Sequence, residues 1–237
     1  MAKTPDHGPL LRLVRTETQR RPVKAAKAVL KPLTENQRRY DVAILNNRVV
    51  FGTGPAGTGK TWWAAARAAE QLETRKIERI IVTRPAIEAG ESLGFLPGEL
   101  DEKYEPYFRP VRDALEERLG SGAVEYHLKA GTIEARPLGL LRGSTLKNCW
   151  VLLDEAQNTT PAQMKMFLTR IGENAKFIIN GDPRQKDIPG QSGLADAVRR
   201  LRGLGNVAFI EFTAADIVRD PMCNAIALRY EQNHTTE

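Results

Sequence analysis

Thiols and imidazoles are scarce in these 237 residues. There are two cysteines, Cys149 and Cys223, and no CxxC pair. A disulfide framework and a cysteine-type zinc site are therefore excluded, and a reducing compartment, the cytoplasm, is the expected location. The three histidines, His7, His127 and His234, are too far apart in the chain for a histidine-based metal centre. No stretch approaches the roughly 18 consecutive apolar residues of a membrane span. The start, Met1-Ala-Lys-Thr-Pro5, lacks the apolar core of a secretory signal. What remains is an ordinary soluble balance, 41% hydrophobic and 27% charged with 6% aromatic residues. It suffices for one full domain with an arm and is too little for two large ones.

Acidic residues are also scarce at one end. Residues 1–40 hold ten Lys/Arg against three Asp/Glu, a net +7, whereas the other 197 residues hold 25 against 26, a net −1. The whole +6 of the chain thus resides in the N-terminal arm. Such an arm can touch nucleic acid through phosphates, or simply be a solvated tail; charge alone favours neither. Pro5, Pro9, Pro22 and Pro32 punctuate it. A short helix is read over Val23–Leu30 and the rest of 1–32 is expected to be flexible.

Beyond the arm, apolar runs alternate with helical segments. Strands are read at Arg48–Phe51, Arg79–Thr83, Cys149–Leu153, Lys176–Asn180 and Val207–Phe212. Helices are read at Thr61–Leu72, which is Ala-rich, at Pro161–Arg170 with Thr159 or Thr160 as N-cap, and at Gly193–Leu201. Near-continuous apolar strands between helices predict an α/β fold with a parallel sheet covered on both faces. Residues 93–142 break the rhythm. A charged helix from Glu105 or Pro106 to Leu119 and hairpin-like segments around Val124–Leu128 and Thr132–Pro137 are read there as an insertion over one end of the sheet.

The chemistry is announced by Gly54-Pro55-Ala56-Gly57-Thr58-Gly59-Lys60-Thr61, a complete G-x-x-x-x-G-K-[ST] between an apolar strand and a helix. Glycines let successive backbone N–H groups curl around a phosphate. The following helix aims its positive dipole end at the same anion. The Lys60 ammonium can reach the β- and γ-phosphates of a nucleotide, and the Thr61 hydroxyl can ligate Mg²⁺. Near the end of a later strand come Trp150-Val-Leu-Leu-Asp154-Glu155-Ala-Gln157, where ligands of open α/β sheets gather. Asp154 is expected to hold Mg²⁺ through water, and Glu155 to activate the attacking water as general base. Two weaker elements follow. Gln185, in Asn180-Gly-Asp-Pro-Arg-Gln185, can bond the γ-phosphate or attacking water, although an ordinary Gly-Asp-Pro turn explains the string equally. Gln37 can read the adenine edge, or close a capping box on Thr34.

These pieces in this order resemble the PhoH-like ATPases, relatives of the superfamily 1 helicase motor core. The similarity runs from about Leu33 to Glu231 through Thr83-Arg84-Pro85, Gly90–Gly98, Pro106–Pro110, Leu141-Arg-Gly143, Asp154–Thr160, Gly181–Gln185 and Asp216-Ile-Val-Arg219. The resemblance implies a RecA-like P-loop NTPase domain over residues 33–237, with ATP and Mg²⁺ as ligands and RNA-linked unwinding or remodelling as its work. It also implies nucleotide contacts for Gln37 and Gln185. The family usually has Arg-Gly-Arg-Thr where this chain has Arg142-Gly143-Ser144-Thr145. No nuclease or RNA-binding domain of the kind longer relatives carry is read in these 237 residues, and the basic arm is the expected substitute. Arg84, at the end of the second strand, is a candidate phosphate ligand for single-stranded RNA. So is Arg109, among Lys103, Tyr104, Tyr107, Phe108 and Arg112; an amphipathic helix turning its aromatics inward explains that group as well.

A single motor domain needs an arginine from elsewhere to stabilise charge on the transferring phosphoryl group. A head-to-tail ring supplies one from the neighbour, and a hexamer is the expectation. Arg219 and Arg170, then Arg142, are the candidate trans arginines. Two other classes compete: a nucleotide-gated scaffold with little turnover, and a small-molecule kinase, which would need a lid rich in arginines and an acceptor pocket.

Overall fold

The computed structural model describes residues 29–85 and 100–220, together with Met222 and Arg229. The basic arm as far as residue 28, most of the short helix read over Val23–Leu30, and the Gly90–Gly98 string lie outside the described residues. Six strands form one sheet: β1 (Val49–Thr53), β2 (Arg79–Thr83), β3 (Ile133–Ala135), β4 (Cys149–Leu153), β5 (Lys176–Gly181) and β6 (Val207–Glu211). Their order is β3-β2-β4-β5-β1-β6, and every pairing is parallel. The helices are α1 (Glu35–Asn46), α2 (Lys60–Glu73), α3 (Leu100–Leu119), α4 (Ser121–Lys129), α5 (Pro161–Leu168) and α6 (Gly193–Leu201).

The two-residue period of the strands sorts their side chains onto two faces. Val50, Ile80, Val82, Leu152 and Ile178 join one core with α1, α2 and α3. Phe51, Ile81, Val151, Leu153, Phe177 and Ile179 join the other with α5 and α6. Both faces are therefore dry, which is why the strands read as unbroken apolar runs. In α2 the buried alanines 64, 65, 66, 68 and 69 let the helix lie close between the sheet and α3. Phe108, Val111 and Leu115 of α3 are buried against it.

The hairpin-like segments are corrected. Val124–Leu128 belongs to α4. Its apolar alternation was misleading, because Val124 is buried while Tyr126 is 68% exposed. Residues 133–135 are an edge strand running parallel to β2, with Ile133 opposite Ile80. At least part of the 93–142 stretch thus belongs to the sheet and its cover.

Lys176 opens β5 and donates its ammonium protons to the carbonyls of Ile44 and Leu45 at the end of α1, 4.7 Å from the Trp150 ring centroid. Burial lowers its pKa from 10.5 to about 8. Between those values the unfolded chain holds a proton that the folded chain has released, so stability rises with pH across the window. This contribution is complete above 10.5 and is lost as pH falls through about 8. Urea melts at pH 7 and pH 9.5 should show the wild type gaining stability relative to Lys176→Met at the higher pH. A difference independent of pH would remove Lys176 as its source.

Candidate functional site

The turn from β1 into α2 is built on glycines that nothing else can replace. Gly54 has φ 133°, and a Cβ there would lie 2.2 Å from the Phe212 carbonyl oxygen. Gly57 has φ 81°, and its Cβ would lie 2.6 Å from Arg219 Cδ. Gly54 excludes a side chain by backbone angle and by the Phe212 backbone, Gly57 chiefly by its backbone angle, since the Arg219 side chain could move aside. No side chain caps α2, so its first N–H groups remain for an anion.

Lys60 is only 8% exposed. Its ammonium donates to the Gly54 carbonyl (2.8 Å), the Pro55 carbonyl (2.7 Å) and Thr58 Oγ1 (3.2 Å). Burial holds its pKa below the ordinary lysine value, against the pull of Asp182, Asp154 and Glu155, which favour the charge. Next to it, Thr61 Oγ1 donates to Asp154 Oδ1 at 2.9 Å. Arg84 Nη2 donates to Asp154 Oδ2 at 2.5 Å.

Asp154 follows β4 directly, and Glu155 adopts the left-handed region, φ 54° and ψ 37°. That conformation is uncommon outside glycine. It turns the chain off the strand, with Glu155 lining the cavity and Gln157 buried below. Gln157 Nε2 donates to Glu155 Oε2 (2.7 Å) and to the Gln185 carbonyl (3.3 Å), while its Oε1 accepts the Asp182 N–H (3.0 Å). Asp182 in turn accepts from Gln185 Nε2 (2.9 Å) and from the Arg184 N–H (3.1 Å). One side chain thus couples the second carboxylate to the 182–185 turn.

These groups surround a cavity of about 360 Å³ at the carboxyl ends of the strands. Its lining includes Ala56, Gly57, Gly59, Lys60, Thr61, Arg84, Asp154, Glu155, Gln185 and Arg219, with Trp62 and Pro110 on the wall. The donor set suits a hard divalent ion: a hydroxyl and a carboxylate already in contact, with phosphate oxygens and water to complete the shell. Among the described residues, no group of three or more His, Cys, Asp or Glu is placed to hold a metal by itself.

Gln37 is buried just behind the loop. Thr34 caps α1 by accepting the Gln37 N–H (3.2 Å), but the Gln37 amide does not close a capping box. Its Oε1 accepts the Leu33 N–H (2.8 Å) and its Nε2 donates to the Thr58 carbonyl (3.0 Å). Gln37 is 3% exposed and lies outside the lining of the cavity.

The arginines fall in different places. Arg219, a candidate trans arginine in the sequence, is placed beside the phosphate loop. It lines the cavity of its own chain against Gly57, and the adjacent Val218 N–H donates to the Gly57 carbonyl at 3.0 Å. Arg84, read as a nucleic-acid ligand, is likewise inside the cavity. Arg170 follows α5, and its carbonyl accepts the Leu146 N–H ahead of β4, at the opposite edge of the sheet. Arg142 and Arg109 are exposed, and Phe108 points into the core.

Sequence reasoning left Gln157, Asp182 and Tyr40 without roles. Gln157 carried a signal as the last residue of Asp-Glu-Ala-Gln. Tyr40, whose hydroxyl donates to Asn180 Oδ1, and whose pKa burial pushes well up, carried none beyond its spacing from Gln37.

Among known families, PhoH-like protein matches residues 29–231. The chain belongs to this family. A PhoH-like protein of Bacillus subtilis is 51% identical over 203 residues, covering 85% of this chain and 64% of that protein. Protein PhoH of Escherichia coli is 50% identical over 193 residues, covering 80% and 54% respectively. The PhoH-like chain therefore spans less than two thirds of these relatives' lengths. Among solved structures, the large terminase of the thermophilic bacteriophage D6E has a similar fold, with a TM-score of 0.51 at 12% identity, over 81% of this chain and 48% of that one. The PhoH-like chain has the α/β fold of P-loop NTPases.

Proposed function

We propose that this chain binds ATP with Mg²⁺ and hydrolyses it, coupled to work on single-stranded RNA. The observation that carries the proposal is the convergence of Lys60, Thr61, Asp154, Glu155 and Gln185 on one cavity at the carboxyl edge of the sheet. The triphosphate lies along residues 54–61, and Lys60 exchanges its bonds to loop carbonyls for bonds to phosphate oxygens. Thr61 and Asp154 would hold the magnesium, which would supply neutralisation of phosphate charge. Glu155, held by Gln157, takes a proton from water as the water oxygen attacks the γ-phosphorus. The bond to the bridging oxygen breaks, and ADP leaves with its electrons. Gln185 orients the water. Arg219 approaches the phosphates from the same chain, and Gln37 reads the base.

A ring remains the proposed assembly, with Arg170 or Arg142 offered to the neighbour. Arg170 lies at the edge opposite the cavity, on a different surface from the cavity mouth, which is compatible with a head-to-tail contact. Arg109 and the basic arm are the proposed RNA contacts. The test is ATP turnover with and without single-stranded RNA, alongside solution mass. Stimulated turnover in a ring supports the motor. ATP-dependent assembly with negligible hydrolysis supports a scaffold, and transfer to a small acceptor supports a kinase.

A further inference from the structure

We propose that Arg84 is the internal counter-ion of the metal carboxylate, competing with magnesium for Asp154 and so setting the affinity of the site for free metal. The inference rests on the ATPase reading above and concerns how its metal seat is guarded.

Asp154 has both oxygens engaged, Oδ1 by the Thr61 hydroxyl at 2.9 Å and Oδ2 by Arg84 at 2.5 Å. The two partners differ in kind. A hydroxyl that donates to the carboxylate keeps its lone pairs for a metal, so Thr61 is compatible with the ion. Arg84 brings a full positive charge to the same oxygens. The pair is withdrawn from water, with side-chain exposures of 15% and 9%, so their charges are weakly screened.

The register brings the two residues side by side. Thr83 stands opposite Leu153 in neighbouring strands, and the Asp154 N–H donates to the Thr83 carbonyl at 3.0 Å. The next residue of each strand therefore emerges at one point of the cavity. The Leu138 N–H, donating to the Arg84 carbonyl at 3.3 Å, ties the Arg84 backbone in place. A guanidinium and a divalent ion a few ångströms apart repel strongly. A metal that uses Asp154 therefore competes with Arg84 for its charge. Free metal has to do this unaided. Metal arriving with a nucleotide brings phosphates, which attract the displaced guanidinium within the cavity both already share. Arg84 thus makes the seat receptive to the metal–nucleotide complex and resistant to the bare ion.

The experiment measures Mn²⁺ binding by electron paramagnetic resonance on the full chain, without nucleotide and with ADP. Wild type should bind bare Mn²⁺ weakly and Mn²⁺ with ADP well. Arg84→Gln should bind bare Mn²⁺ about tenfold more tightly, and Asp154→Asn should lose this binding. Arg84→Lys, which keeps the charge but loses the planar fork, should fall between and serves if Arg84→Gln does not fold. Bare-ion affinity in both Arg84 variants equal to or weaker than wild type, with wild type still binding Mn²⁺ and ADP, overturns the counter-ion role and leaves the ATPase reading standing. Wild type that takes up no Mn²⁺ with ADP overturns both.

Discussion

Lys60→Ala is expected to abolish measurable ATP turnover and to weaken nucleotide binding about 10- to 100-fold. The ammonium is buried and already makes three hydrogen bonds to the loop. Exchanging these for phosphate oxygens turns neutral acceptors into charged ones, and charge-assisted bonds are worth about 1.5–3 kcal/mol each. The same contact neutralises charge as the γ-phosphoryl group transfers, so the loss in turnover should exceed the loss in binding. Fluorescent-nucleotide titration and a phosphate-release assay separate the two. Turnover within a few-fold of wild type would mean the cavity hydrolyses phosphate without its central cation, and the roles assigned around it would fail together.

Glu155→Gln should give the other large effect, with a different signature. The amide retains the size of the side chain but cannot take a proton. Loss of a positioned general base lowers a rate by about 10²- to 10⁴-fold, while the loop, Lys60 and the Thr61–Asp154 pair remain to bind ATP. The variant should accumulate bound, uncleaved ATP, detectable after rapid gel filtration. Gln157→Leu should show a milder version of the same defect. If Glu155→Gln turns over at the wild-type rate, the base lies elsewhere, and the left-handed turn at 155 must have another use.

The parts of this site that were legible in the sequence are those whose chemistry is local. Residues 54–61 carry their backbone angles in their glycines, and Asp154-Glu155 advertise a strand end by following an apolar run. The four inner strands, β1, β2, β4 and β5, were readable because both faces of the sheet are buried there, leaving no polar alternation to confuse them. What could not be read depends on which strands are neighbours. Arg84 meets Asp154 only because β2 lies beside β4 in a fixed register. Arg219 belongs to its own cavity only because the segment after β6 folds back onto Gly57. Gln157 reaches both Glu155 and Asp182 only because β5 lies beside β4. The misread hairpin has the same origin: Val124, Tyr126 and Leu128 alternate as a strand would, and the packing of Val124 into the core beside α3 makes them helical.

The central claim is a phosphate grip formed by Lys60 and the loop, with magnesium held between Thr61 and Asp154. Calorimetric titration of the purified chain with ATP and Mg²⁺ tests it most directly. The expected result is one nucleotide per chain, with binding much weakened in Lys60→Ala and with the magnesium dependence reduced in Asp154→Asn. No heat of binding at millimolar nucleotide, or identical isotherms for wild type and Lys60→Ala, would contradict the account.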